Sequence, residues 1–315
     1  MHALYERLPS ALSPAALAFV RSQTPVGSAD PACSAPVRSA IETKLDALRQ
    51  RCSGPFTVDG AHVSAAPMFR MNGGFNGKSA KLNAPLLYAL CEKAGLQRDV
   101  GLCLAGRATP RQLVAITQML LDRGQLEPGS APVTERIRQM QWMFGIGLDC
   151  VGYTWQAVQE VHGPAGRSAL PDGERVNALP NRLRSHFVRA PAESARAGDV
   201  INLVAQKRGE PGHNVIVRRN ELLDGSRQSL LSRRSPEARQ WLLDAGPIHV
   251  LDVDSSWGAG PDGSERGGAR TDTWMYNTRT KEWADFDAET GAFQTSKVGP
   301  QDERSTGSYR PRGAA

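Results

Sequence analysis

The 315-residue sequence contains no long apolar run. A membrane-spanning helix needs roughly 18 or more consecutive apolar residues, so we expect no integral membrane segment. Residues 1–23 also lack the uninterrupted apolar core of about 7–15 residues that a secretory signal peptide requires. We therefore expect a protein made in the cytoplasm without a signal peptide, which reaches any outside target through a specialised secretion system.

Cysteine is scarce, and its spacing excludes two common structural uses. The five residues are Cys33, Cys52, Cys91, Cys103 and Cys150. They are too few and too scattered for a disulfide framework, and no pair forms a CxxC or CxxH metal motif. We expect no metal and no other cofactor. Because the count is odd, at least one thiol is unpaired.

Long basic runs are also missing, although the formal net charge is +6. The excess falls in the first 190 residues, where it is spread singly along the chain. The doublets Arg218–Arg219 and Arg233–Arg234 have no neighbouring aromatic residues on which bases could stack. This pattern predicts a solvated basic surface and no nucleic-acid partner, and it leaves attraction to an anionic polymer such as a cell wall open.

Apolar periodicity and turn residues predict helices first and strands afterwards, an α+β fold. The periodicity predicts helices over residues 15–20, 36–51, 82–94, 109–123, 132–144 and 151–162. The stretch between Cys52 and Lys81 is rich in glycine, asparagine and serine and cannot be a regular helix. Short apolar runs predict a small, mostly antiparallel sheet from residues 200–204, 215–217 and 248–253 and a hairpin of 273–276 with 282–286. The polar tail from residue 296 predicts disorder. We expect a helical region over 1–144, a catalytic domain over 145–295 and a disordered tail over 296–315.

Cys150 is the cysteine whose surroundings favour chemistry. It falls at the first turn of the helix predicted to end at His162, where backbone N–H groups and the helix dipole favour the thiolate over the thiol. Gly152 beside it allows close approach of another backbone or of a substrate. The other four cysteines lie within or at the edge of helices without such a motif, which predicts buried packing residues.

A thiolate nucleophile needs a base, and the base needs an orienting group. His213 opens a predicted strand directly after a turn, at a sheet edge where a cleft can form. The following strand carries Asp252 and Asp254, which alternation places together on one face. We expect that face to carry His213 too, with Asp254 orienting it or Asp252 as the alternative.

Four segments together resemble the NlpC/P60 family of papain-like cysteine peptidases. They are the residues 149–153 (DCVGY), the turn 197–200 (AGDV), the strand 213–217 (HNVIV) and the polar strand before Trp257. The resemblance is limited to about residues 145–260. It implies a papain-like domain in which a nucleophile helix packs on an antiparallel sheet, with Cys150 as nucleophile, His213 as base and Asp254 or Asp252 as third residue. The chain departs from the family pattern at Val151, Ala197 and Asn214.

By that resemblance we expect a hydrolase that cuts amide bonds in peptidoglycan stem peptides. Wall-directed chemistry without a signal peptide leads us to expect an antibacterial secreted effector, with an immunity protein or a secretion machine as partner. One alternative keeps the Cys–His machinery in a host-directed protease, deamidase or acyltransferase that acts on a protein or a lipid. Another is a binding protein that retains the fold without catalysis. Selective alkylation of Cys150 separates the enzymes from the binding protein, and analysis of peptidoglycan fragments separates the two enzymes.

Overall fold

The computed structural model describes residues 39–69, 77–171, 179–203, 213–223, 241–242, 246–257, 267–286, 293–297 and 307–314. The predicted helix over 15–20 and Cys33 lie outside these residues. The fold is α+β, as the sequence predicts. Its described helices are α1 (Ala40–Cys52), α2 (Gly77–Lys93), α3 (Val100–Leu104), α4 (Pro110–Asp122), α5 (Val133–Phe144), α6 (Cys150–His162), α7 (Pro164–Ala169) and α8 (Leu179–His186), with a 3₁₀ turn at Ala192–Ser194.

The described strands form one hairpin and one larger sheet. The strands are β1 (Phe56–Val58), β2 (Ala61–Val63), β3 (Phe187–Ala190), β4 (Val200–Leu203), β5 (His213–Leu222), β6 (Ile248–Trp257), β7 (Gly268–Asn277), β8 (Glu282–Phe286), β9 (Phe293–Lys297) and β10 (Gly307–Pro311). β1 pairs with β2, and the other eight form a sheet in the order β3-β10-β4-β5-β6-β7-β8-β9. Every pairing whose register is described is antiparallel. The sheet is therefore larger than the small one that the sequence predicts.

Capping residues explain why the helices before Cys150 begin and end where they do. The Thr109 hydroxyl accepts a hydrogen bond from the Gln112 backbone, and the Gln112 side chain accepts one from the Thr109 backbone. This capping box starts α4. Gly145, with φ of +66°, ends α5 in the left-handed conformation that glycine adopts without strain. Both ends agree with the sequence prediction to within a residue or two.

The hairpin of β1 and β2 lies in the stretch between Cys52 and Lys81 that the sequence predicts not to be a regular helix, although α2 already begins at Gly77. Its two turn residues, Asp59 and Gly60, have φ of 50° and 79°. An Asp-Gly pair at such a turn is a strong local hairpin signal, because both positions need positive φ. Each strand has only three residues, too few to show period-two alternation.

Contacts divide the described chain into two compact units. The first, here the helical unit, takes residues 44–182 and 255–270, and the second, the sheet unit, takes 39–43, 183–254 and 271–314. The predicted boundary at residue 145 is therefore wrong, because α6 groups with the helices before it. Two long-range contacts tie α6 to α1: Lys44 Nζ donates to the Val161 carbonyl at 2.9 Å, and Arg51 pairs with Glu160 at 2.6 Å.

The predicted disorder of residues 296–315 is wrong for the strand β10. This strand pairs with β3 on one side and β4 on the other. The carboxylate of Asp199 accepts hydrogen bonds from the guanidinium of Arg310, at 2.6 and 2.7 Å, and from the hydroxyl of Ser308 at 3.1 Å. Asp199 is only 1% exposed, so a buried charge holds the strand. Residues 296–297 also belong to a strand, β9.

No helix in the described part of the chain combines the length and the apolar character needed to cross a membrane.

Candidate active site

Cys150 is the first residue of α6, one residue before the predicted helix start. Asp149 caps the helix, because its Oδ1 accepts the backbone N–H of Gly152 at 2.6 Å. Such a cap satisfies one of the donors that a helix leaves free at its start. The Cys150 residue is partly exposed. The thiol thus lies at the start of the helix, where the sequence places it.

Three hydrogen bonds within the helical unit hold the loop that leads into α6. The backbone N–H of Leu148 donates to the Met68 carbonyl at 2.9 Å, and the Leu148 carbonyl accepts the Ser256 hydroxyl at 2.8 Å. The backbone N–H of Asp149 donates to the Gly106 carbonyl at 3.0 Å. These contacts come from three distant segments of the chain. The position of Cys150 is therefore set by tertiary structure as well as by its helix.

Gly152 has the packing role that its place beside Cys150 predicts. A Cβ atom added there would lie 2.0 Å from the carbonyl oxygen of Gly106 and 3.2 Å from the Cα of Arg107. Only a residue without a side chain allows this approach. The first turn of α6 therefore packs directly against the backbone at residues 106–107.

Arg107 is the residue beside Cys150 that the sequence reasoning missed. Its Nη2 lies 2.9 Å from Oδ2 of Asp149, and the two side chains are 13% and 6% exposed. Burial lowers the pKa of Arg107, while the negative charges of Asp149 and of Cys150 raise it. A single arginine far upstream carries no sequence signal for such a role. The fold alone brings it to the thiol.

The other described cysteines are packing residues, as predicted. Cys52, Cys91 and Cys103 are at most 1% exposed. Burial raises the pKa of Cys52 to about 12 and that of Cys91 to about 11, and it raises the pKa of Cys103 as well. Thiols held protonated in this way are poor nucleophiles. Cys150 is the one described cysteine that is not buried.

His213 begins β5 and belongs to the sheet unit. It lies opposite Leu203 in the register of β4 and β5, and its ring centroid lies 6.2 Å from that of Trp274. Its place at the first residue of a strand agrees with the prediction. Cys150 belongs to the helical unit, so the pairing of the two residues stays a prediction.

The register of β5 and β6 contradicts the prediction that one face carries His213 and the acids. Asp254 lies opposite Ile216, so these two side chains point to the same face. His213 is three residues before Ile216, and alternation turns it to the other face. Asp252, two residues before Asp254, shares the face of Asp254. Neither acid is therefore placed to orient His213.

Both acids instead neutralise arginines within the sheet. The carboxylate of Asp254 pairs with Arg218 at 2.9 Å and accepts the Thr271 hydroxyl at 2.6 Å. The carboxylate of Asp252 pairs with Arg219 at 2.9 Å and accepts a hydrogen bond from the hydroxyl of Thr273, in β7, at 3.0 Å. Asp254 is fully buried, and a buried carboxylate needs partners of this kind. These contacts give both acids a structural role.

No three histidine, cysteine or acidic side chains of the described residues come together in a group that could hold a metal ion. Comparisons of the chain with protein-family models, with curated proteins and with solved structures found no match.

Proposed function

We propose that the protein is a cysteine amidase of the papain-like NlpC/P60 type that hydrolyses amide bonds in peptidoglycan stem peptides. The observation that carries the proposal is the setting of Cys150. Cys150 is partly exposed at the capped start of α6, beside the largely but not fully buried side chain of Arg107, whereas Cys52, Cys91 and Cys103 are buried. A cationic neighbour and a helix start are what a reactive thiolate requires.

In the proposed reaction the Cys150 thiolate attacks the amide carbonyl, and the Cys150 backbone N–H helps to stabilise the oxyanion. The C–N bond breaks, His213 supplies the proton that the leaving amine takes, and a thioester remains on Cys150. Water then attacks the thioester with His213 as base, which releases the carboxylate and regenerates the thiolate. The products are one new amine and one new carboxylate for each bond cut.

The substrate class comes from the resemblance of residues 145–260 to the family, whose members mostly cut stem peptides. The net charge of +6 is compatible with this class, because bacterial cell walls are anionic polymers. The resemblance also defines the role of His213, which is proposed as the base without an orienting acid from β6.

Digestion of isolated peptidoglycan, followed by mass analysis of the fragments, tests the proposal. We expect the wild type to produce fragments with shortened stem peptides and new amines, and Cys150→Ala to produce none. Cys52→Ala is the matched control, since it removes a buried thiol away from the site and should leave the fragment pattern of the wild type. Unchanged fragments with folded wild-type protein would overturn the proposal. If Cys150 still reacts selectively with an electrophile in that case, the substrate is another amide or ester.

A further inference from the structure

Asp149 creates an electrostatic problem for a nucleophile at residue 150. Its carboxylate caps the turn that begins with Cys150, and it is buried. A negative charge beside a thiol opposes loss of the thiol proton, and it also offsets the positive end of the helix dipole. A capping aspartate therefore makes Cys150 a poorer nucleophile unless another group cancels its charge.

Arg107 is held in a fixed place beside both groups. Its backbone forms a bridge with Leu148, its Nε donates to the Ala105 carbonyl at 3.2 Å, and its Nη2 pairs with Asp149 at 2.9 Å. The close packing at Gly152 brings the Cα of Arg107 against the first turn of α6. The guanidinium is thus fixed by its own backbone, by a carbonyl and by a carboxylate.

One nitrogen of this guanidinium, Nη1, has no hydrogen-bond acceptor among the described residues. This atom of Arg107 is fully buried. A buried N–H without an acceptor costs free energy, and a catalytic role is one reason why a protein keeps such a group. Burial lowers the pKa of Arg107, and the charges of Asp149 and of a Cys150 thiolate oppose that shift, as expected when both groups lie within electrostatic reach of the guanidinium. Because such coupling is mutual, the guanidinium also favours the thiolate.

We infer that Arg107 is a positioning residue that cancels the charge of Asp149 and favours the Cys150 thiolate through the positive charge of its guanidinium. This inference rests on the proposed role of Cys150 as the nucleophile. It adds an Asp149–Arg107–Cys150 arrangement, built wholly within the helical unit, to the base that His213 is proposed to supply. Arg107 acts on the thiol and not on the substrate.

The test measures the alkylation rate of Cys150 by iodoacetamide against pH, with mass spectrometry to read each cysteine separately. Removing Arg107 alone leaves a buried carboxylate unpaired, so the comparison is made between Asp149→Asn and the double variant Arg107→Met with Asp149→Asn. Asparagine still caps the helix. The two proteins differ only in the guanidinium, and thermal unfolding checks that both are folded.

We expect the pH at half-maximal alkylation to be about one unit higher in the double variant than in Asp149→Asn. In Asp149→Asn the pH at half-maximal alkylation should lie below the wild-type value, because a repelling charge is lost. Arg107→Lys keeps a positive charge, so its alkylation profile should stay close to that of the wild type. Identical midpoints in the two matched variants would overturn the inference and leave Arg107 a structural residue. The assay uses no peptidoglycan, so its outcome is independent of whether the proposed substrate is cut.

Discussion

The carbonyl oxygen of Gly106 fills the space that a side chain at Gly152 would need, 2.0 Å from the ideal Cβ position. The same oxygen accepts the backbone N–H of Asp149 at 3.0 Å. The turn that carries Cys150 is thus packed backbone to backbone against the segment that carries Arg107. This contact brings the proposed nucleophile and its charged neighbour together.

Gly152→Ala should therefore destabilise the protein by about 1–3 kcal/mol, since a methyl group cannot enter without moving one of the two backbones. Urea unfolding measures the change. Gly101→Ala is the matched control, because Gly101 also lies in a helix and has no atom within 4 Å of its Cβ position. It should be neutral or stabilising by up to about 1 kcal/mol. Equal effects at both glycines would contradict the packing described.

Arg310→Ala should release β10 from the sheet, because it removes the guanidinium that pairs with the buried carboxylate of Asp199. We expect the free energy of unfolding to fall by about 3 kcal/mol, because the buried carboxylate of Asp199 loses its counter-charge and keeps only neutral hydrogen-bond donors. Hydrogen exchange of the backbone amides of residues 307–310 should become much faster. Arg312→Ala is the control, since that residue is exposed beyond the strand. Unchanged exchange in Arg310→Ala would show that strand pairing alone holds β10.

Asp254→Asn should lower the free energy of unfolding by about 3 kcal/mol, because it leaves Arg218 buried beside a group without charge. Adding Arg218→Met should recover most of this loss, since replacing both members of a buried pair by neutral groups is often nearly neutral. Denaturant unfolding of the two single variants and the double variant gives the coupling energy. Additive losses would mean that the two side chains do not act as a pair.

The buried thiols should make the protein less stable as the pH rises above about 9. Burial raises the pKa of Cys52 to about 12 and that of Cys91 to about 11 from an ordinary value of 9.0. A group whose pKa is raised in the folded state stabilises fully below its unfolded pKa and loses that contribution as pH rises to the folded value. We therefore expect stability to fall between pH 9 and pH 11, by up to ~1.4 kcal/mol per pH unit for each thiol.

Unfolding of Cys52→Ala over the same pH range checks this origin of the alkaline loss. The free energy of unfolding of Cys52→Ala should fall less steeply with pH than that of the wild type, by the contribution of one thiol. Cys150→Ala is the control, because Cys150 is partly exposed and should leave the slope unchanged. The same slope in Cys52→Ala as in the wild type would assign the alkaline loss to other groups.

The longer helices α1, α2, α4, α5 and α6 were predictable because their signals are local, whereas the short helices α3, α7 and α8 were not predicted. The capping box at Thr109 and the glycine after Phe144 mark helix ends that need no tertiary information. The strands were predicted too short where polar residues follow the apolar run. The predicted strands ended just before Arg218 and just before Asp254. Both residues nevertheless lie within strands, because each neutralises the other.

β10 and Arg107 could not be predicted, for the same physical reason. Each is fixed by a carboxylate far away in the sequence, Asp199 for the strand and Asp149 for the arginine. Cys150 and Gly152 were found because a helix start and an adjacent glycine are visible locally. The face of Asp254 depends on its register with β5, which alternation within one strand cannot give.

The claim that Cys150 is an activated nucleophile is tested most directly by its alkylation rate at pH 7 in the folded protein and in the same chain unfolded in urea. The unfolded chain gives the rate of an ordinary thiol in the same sequence. We predict that folded Cys150 reacts about ten times faster than unfolded Cys150 or more, while Cys52, Cys91 and Cys103 react more slowly when folded. A folded rate for Cys150 at or below its unfolded rate would contradict the account.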